Sequence, residues 1–435
     1  MLKGPTIGRM ISCAVLCCLM VLGAGAAATA QKIHLVMGHY TLHDEYRELA
    51  QIFMERNPDI EVEYLAFTSY SDFVNKMPVM IASNTAPDVF AVHHLDLVDW
   101  AHAGWLMPLD EFAANDPIID LEEFFPFSIN AFRWQPGSYT VGEGNLYAMP
   151  TTYQTAGVPF FNMDIFDNMG LAYPDETWTW DDELAAYRRM MIDADGDGVY
   201  EQVGSRIPVN REARFMPRVW QAGGELINAD YSKALTDSPV VAKVLQWLYE
   251  VGPVHLAASN SAGSFEGGKV GITYSGQWSI PNSKWYEIIP FRYGVFLHPK
   301  HPETGSRTIG ARPDGMGVSA TSAHPEAAWR LLSFITGPEV QEIRATRDYM
   351  AVPHIPSAVK LYQMGGEGGL PHFYYVMTQM LIDVHPTYYL GMQAREIGNI
   401  VSKWMSDAVN GRSTVAEAIA NMTQEIDAVL KSIRE

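Results

Sequence analysis

The chain has 435 residues, more than one hydrophobic core usually organises, so two domains are expected. Its composition, 48% hydrophobic and 18% charged, excludes disordered, collagenous and coiled-coil classes. Fifty acidic residues against 30 basic ones give a formal charge of −20, which argues against nucleic-acid binding and anionic lipid surfaces but leaves a local basic pocket open.

Lys3 and Arg9 precede an apolar run from Ile11 to Ala28, and Ala28-Thr29-Ala30 offers the small-x-small pattern of signal-peptidase cleavage. Residues 1–30 are therefore expected to be a cleaved signal peptide. A membrane anchor is the alternative, although the run is barely long enough to span. Cys13, Cys17 and Cys18, the three cysteines of the chain, all lie in this leader. The mature chain is thus expected to carry no disulfide and no cysteine metal site. None of the three stands where a lipoprotein cysteine would, and a soluble periplasmic protein is expected.

After the leader, Lys32 to Gly38 reads as a strand. Thr41-Leu42-His43-Asp44 has capping-box spacing before a helix whose Leu42, Tyr46, Leu49, Ala50 and Phe53 share one face. Asn57-Pro58 stops it, and Ile60, Val62 and Tyr64 alternate as a second strand. Ala86-Pro87-Asp88 leads into Val89 to Val92, an apolar run suited to a buried parallel strand. Strand and helix in alternation predict an α/β fold. Further on, Thr179 is expected to cap one helix, Pro325 to open another that Gly337-Pro338 closes, and Thr414 to cap the last. In that last helix Val415, Ile419, Met422, Ile426 and Val429 keep helical spacing, which reads as a core-facing stripe rather than a docking face.

Several stretches together resemble the extracellular solute-binding proteins of ATP-binding-cassette sugar importers, the family that includes maltose-binding protein. They are YRELAQIFMERNPDIEVEY, NTAPDVF, GWLMPLDEF, GNLYAMPTTYQTAGVPFFNMDIFDNMGL with PDETWTWDDEL behind it, QAGGELIN, FEGGKVGITYSGQW and GMGVSATSAHPEAAWRLLSFITGPEVQ, with GRSTVAEAI near the end. Singly each is weak, but in family order they run over nearly all the mature chain. The resemblance implies a two-lobed periplasmic binding protein fold with a hinge and an interlobe cleft. It further implies discontinuous lobes, one of residues 31–150 plus 300–350 and the other of 151–299 plus 351–435. Crossings are expected near Met149-Pro150-Thr151, Pro299 and Ala351-Val352-Pro353. It also implies a monomer that hands a carbohydrate to a membrane permease, with no catalysis and no required cofactor.

Sugar sites pair aromatic platforms with hydrogen-bonding side chains. Trp278, in Ser275-Gly276-Gln277-Trp278, is the first candidate, because the similar Gly-x-Trp segment of the family often stacks on sugar. Trp220, before Ala222-Gly223-Gly224, is the second. Polar candidates come from loops after strands, where open α/β sheets bind ligands. These are His39 and Tyr40, His93 and His94, Tyr153 and Gln154, and Asp314 with Gly315; Tyr388 and Tyr389 are aromatic candidates near the C-terminus. For each, the competing reading is a packed or solvated residue.

Asp193, Asp195 and Asp197 match the first half of an EF-hand loop, but position twelve is Gly204 instead of Glu, so structural Ca²⁺ and an ion-free acidic turn both stay open. His39, His43, His93 and His94 lack the H-E-x-x-H pattern of a zinc site. No serine-nucleophile elbow, P-loop or Rossmann fingerprint occurs in the sequence. A secreted carbohydrate-active enzyme, such as a glycoside hydrolase, is the rival from another class.

Overall fold

The computed structural model describes residues 32–252, 254, 256–276, 279, 288–347, 352–364, 384–385 and 391–435. The leader, Trp278, Tyr388, Tyr389 and Ala351 lie outside the described residues. Among those described, no helix is long and apolar enough to cross a membrane.

The chain opens with β1 (Ile33–His39), α1 (His43–Arg56), β2 (Ile60–Ala66), α2 (Tyr70–Ala82) and β3 (Val89–His93). β1 lies between β2 and β3 and is parallel to both, with Ile33 opposite Ile60 and Met37 opposite Val89. In β2 the alternation does its ordinary work: Ile60 and Val62 point into the core while Glu61 and Glu63 face solvent. β3 is buried throughout, as a central strand covered on both faces must be. Helix α1 buries Tyr46, Leu49, Ala50 and Phe53 and ends at Asn57.

The start of α1 departs from expectation. Its N-cap is Leu42, at φ 52° in the left-handed region, with no side-chain cap. The Thr41 amide is instead directed at Nδ1 of His39 (3.1 Å), so Thr41 serves the end of the strand and not the start of the helix.

A short ladder, β4 (Arg133–Trp134) with β5 (Asn145–Leu146), precedes the long strand β6 (Met149–Asn162). β7 (Ile272–Gly276) and β8 (Tyr293–Val295) pair with β6 toward its end, and β9 (Ile309–Val318) pairs antiparallel with both β6 and β3. The order β2-β1-β3-β9-β6-β7 makes one continuous path, with β10 (Val384–His385) beside the start of β9. The other long helices are α3 (Trp180–Arg189), α4 (Pro239–Val251), α5 (Pro325–Thr336), α6 (Pro338–Thr346), α7 (Ile355–Met364), α8 (Ala394–Val409) and α9 (Val415–Ser432). Thr179 and Thr414 each form a capping box with Asp182 and Glu417, and Pro325 starts α5 while Gly337 ends it.

The core divides along β6 and β9. Met149, Met316 and Val318 pack with β1–β3 and with Leu331, Ile335 and Val340 of α5 and α6. Tyr153, Val158, Phe160, Ile309 and Val352 belong to a different cluster, and two more clusters gather around α3, α4, α8 and α9. Two α/β lobes result, sharing two strands. Arg344 pins the first lobe to the shared strand. Fully buried, it donates to Glu45 on α1 (2.6 Å), to the Thr151 carbonyl of β6 (3.3 Å) and to the Ile335 carbonyl (3.4 Å).

Candidate ligand-binding site

The carboxyl ends of β1, β2 and β3 open on one side of the first lobe, and polar aromatic residues collect there. His39 is 3% exposed and lies between two rings, Tyr40 at 4.9 Å and Tyr46 at 4.3 Å. Tyr40 approaches Tyr70 at 5.3 Å, Tyr70 approaches His93 at 4.6 Å, and His93 meets His94 at 4.1 Å. Nε2 of His93 stands 3.8 Å from a carboxylate oxygen of Asp314 on β9. Five of the nominated residues (His39, Tyr40, His93, His94 and Asp314) therefore share one chain of contacts. Tyr70, which sequence reasoning passed over, is its middle link.

The second lobe reaches this cluster through α8. The Arg395 guanidinium, from the first turn of α8, pairs with Asp96, a buried carboxylate just after β3 that also accepts from the Tyr70 hydroxyl at 3.0 Å. The same guanidinium lies 5.5 Å from the centre of the Tyr70 ring. Beside it, the Gln393 amide donates to Asp99 (3.1 Å) and the Met392 amide to the Tyr139 carbonyl (3.0 Å). The lobes thus meet where the nominated residues gather.

Burial sets the charge state of these groups. It drives the His93 and His94 rings well below their ordinary range, with the nearby arginines adding repulsion, and brings His39 down to about 3. All three imidazoles are neutral at pH 7. Burial, reinforced by the Asp314 charge, pushes the Tyr40 hydroxyl well up, and burial also raises Tyr70. Neutral rings and hydroxyls that both donate and accept are the chemistry that sugar hydroxyls require.

One ligand atom from each of His93, His94 and Asp314 lies within 4.8 Å of the others, a spacing a metal ion could bridge. The surroundings do not suit one. Arg312 and Arg211 act on both histidines as positive charges and Arg395 acts on His93, and a divalent cation would have to enter against them.

Other nominated residues are placed elsewhere. Trp220 is 7% exposed within a core of the second lobe, and the ring of His385 stacks on it at 4.4 Å and 7°. Its indole is packed against a neighbour that itself bonds Glu225 (2.7 Å). Tyr153 is 4% exposed and sits edge-on to Phe125 and Phe127, again a packing position. Gly315 is glycine for want of space: a Cβ there would lie 2.7 Å from Phe132 and 2.8 Å from the Met149 carbonyl. Of Gln154 the backbone alone is described, opposite Arg312 in β6 and β9. Trp278, Tyr388 and Tyr389 fall outside the described residues.

The Asp193, Asp195 and Asp197 carboxylates also offer oxygens within 4.8 Å of one another. Asp193 accepts from the amides of Gly196 (2.8 Å) and Gly198 (3.1 Å), Asp197 accepts from Val199 (2.7 Å), and Glu201 accepts from Ala194 (2.9 Å). The turn satisfies its own amides while its remaining lone pairs fit a hard cation. A separate groove of about 1150 Å³ runs between α4 and α9, lined by Lys243, Trp247, Val415 and Ile419 among others, and contains none of the nominated ligand residues.

Residues 41–342 match the family of bacterial extracellular solute-binding proteins. The maltotriose-binding protein of Pyrococcus abyssi is 27% identical over 306 residues, 68% of this chain, and the match spans only 60% of that relative's length. The multiple sugar-binding protein of Streptococcus mutans is 22% identical, covering 72% of each chain. Among solved structures, an ATP-binding-cassette substrate-binding protein of Listeria monocytogenes in complex with cycloalternan superposes with a TM-score of 0.77. It is 22% identical, over 92% of this chain and 99% of the other. The sugar-binding protein MalE of Xanthomonas citri gives 0.74 at 17% identity, over 92% and 98%. These likenesses show the two-lobed α/β fold. From the match over residues 41–342, this chain belongs to the bacterial extracellular solute-binding proteins.

Proposed function

We propose that this protein is the receptor of an ATP-binding-cassette importer, a periplasmic monomer that captures a sugar or oligosaccharide between its lobes and releases it unchanged to a membrane permease. One observation carries the reading. The neutral His and Tyr cluster at the strand ends of the first lobe lies where Arg395 of the second lobe makes contact, so a ligand held there is held by both lobes. The names of the relatives, maltotriose-binding and multiple sugar-binding, support a carbohydrate as cargo. Trp278 is proposed as the stacking platform. It follows β7, whose last residue Gly276 is paired with Ala156 of the shared strand.

A ligand that binds only the folded state raises its apparent stability, by about 2.7 kcal/mol at a hundredfold excess over Kd. A thermal-shift screen across a carbohydrate library should therefore raise Tm by several degrees for the correct sugar. With that sugar, solution scattering should give a smaller radius of gyration, since closure buries the cleft. A library with no stabilising sugar would sink the reading, and the sugar recovered after prolonged incubation should be intact. Hydrolysis lost on replacing a single carboxylate would favour an enzyme instead.

Calcium at Asp193, Asp195 and Asp197 is proposed to be structural. Chelation should leave sugar binding intact while lowering Tm, and loss of binding on chelation would overturn that assignment.

A further inference from the structure

Helix α8 begins without a cap of its own. Gln393, its N-cap residue, makes no side-chain bond to the first turn and stands at φ 56°, a conformation uncommon for a non-glycine residue. Its amide is turned onto Asp99 of the short helix Leu97–His102 in the first lobe (3.1 Å). A matching irregularity lies across the contact. Asp96 is the N-cap residue of Leu97–His102, where an aspartate ordinarily accepts from its own helix, yet its carboxylate makes no such bond. It is directed at the Tyr70 hydroxyl (3.0 Å) and at the Arg395 guanidinium. Both helix starts thus direct toward the other lobe the polar groups that would ordinarily serve their own first turn.

The contact extends beyond these two carboxylates. Thr140 bridges to Gly391, and the Arg434 guanidinium lies 4.8 Å from the centre of the Tyr139 ring. Tyr139, Val141 and Ile433 pack against both the first core and the core built on α4, α8 and α9.

Every group in this contact belongs to the chain, so it can form with the cleft empty of cargo. The Asp96 side chain is 1% exposed and that of Arg395 38%. Separating the lobes would take the guanidinium away from a buried carboxylate, and breaking such a pair is costly. It would also lift that cation off the Tyr70 ring, so the pair joins lobe closure to the middle link of the cluster.

From this arrangement we propose that Asp96 and Arg395 form a latch that holds the two lobes together in the absence of cargo. The proposal rests on the reading above that the lobes move against each other, and not on the identity of the sugar.

The latch is tested with no sugar present. The described fold begins at residue 32 and all three cysteines precede it, so the chain from Gln31 onward accepts a chosen pair of spin labels. Gln51→Cys on α1 and Ala185→Cys on α3, both at exposed positions, report the distance between lobes by double electron–electron resonance. Arg395→Met or Asp96→Asn should raise the open-to-closed ratio about ten-fold, the effect of losing one charge-assisted hydrogen bond. Arg395→Lys, which keeps the charge, should restore part of the closed population. The double variant should open no further than either single one, because all three lose the same contact. Thermal melts of each protein separate opening from unfolding. Two populations in the same ratio in every protein would overturn the latch while leaving the moving lobes standing, and so would additive opening in the double variant. One narrow distance common to all the proteins would overturn both.

Discussion

Lowering the pH from 6.5 to 5.5 is expected to remove about 4 kcal/mol of stability, near 1 kcal/mol from each of four buried histidines. His39, His93, His94 and His298 are 1–7% exposed. Burial depresses all four, taking His39 and His298 down to about 3 and the other two well below their ordinary range. A histidine in the unfolded chain takes up a proton near pH 6.5, whereas these cannot until the pH is far lower. The folded pKa is the lower one, so their contribution is complete above about pH 6.5 and is lost as pH falls from there toward the folded values. Against a typical total of 5–15 kcal/mol, that loss is large. Urea or thermal melts between pH 7.5 and 5.0 should show it, with roughly four protons absorbed per molecule unfolded at the acid end. His298→Gln should reduce that uptake by about one. A melting temperature flat across the range would refute the buried neutral assignment.

The second large effect is expected inside the second lobe. Glu183 on α3 is fully buried and accepts from Arg218 (2.5 Å), from the Tyr274 hydroxyl (2.5 Å) and from the Tyr187 hydroxyl. Burial alone would push its carboxyl up, but the charges of Arg218 and Arg214 and the two hydroxyls outweigh it and hold it below its usual value. Arg218 in turn lies 4.8 Å from the Trp247 ring centre, and Arg214 lies 4.2 Å from that of Tyr274. Glu183→Ala would strand two buried guanidiniums, and removing one partner of such a pair costs about 3–5 kcal/mol. The double variant Glu183→Leu with Arg218→Met should cost less than the sum of its two single changes, because it removes both charges of the pair. Chemical denaturation of all variants decides it. A loss below about 1 kcal/mol for Glu183→Ala would show that the network does not hold the lobe.

Much of the fold was legible because its signals are local. Alternation marked β2, the apolar run marked β3, and Thr179, Thr414 and Pro325 marked helix starts through contacts within four residues. The Thr41 cap failed for a reason outside that window, since the His39 ring competes for its amide. The site was legible in part for a similar reason. The rule that ligands gather at strand ends nominated His39, Tyr40, His93 and His94, which the structure gathers in one cluster, and applied after β2 it would also have nominated Tyr70. Arg395 carried no such signal. It enters the cluster from far along the chain, and only the packing of α8 against the first lobe brings it there. For Trp220 the sequence carried less, because an indole beside a glycine pair looks the same whether or not a ring such as His385 covers it. Gly315 was nominated as a loop glycine near ligand, when what requires glycine is the Phe132 ring and the Met149 carbonyl.

The shared strands also set the order in which this chain can fold as it is synthesised. β3 must pair with β9, Val89 opposite Val318, across more than half the length of the chain, and the first core is closed by residues as late as Val340. Until that stretch has emerged, β3 lacks its β9 neighbour and Met37, Val89 and Phe90 lack part of their cover. Contacts so distant in sequence form slowly, because the intervening loop must close before they contribute anything. The N-terminal half of the nascent chain cannot lock into its native lobe ahead of the rest, which keeps the leading part of the polypeptide loose for most of its translation.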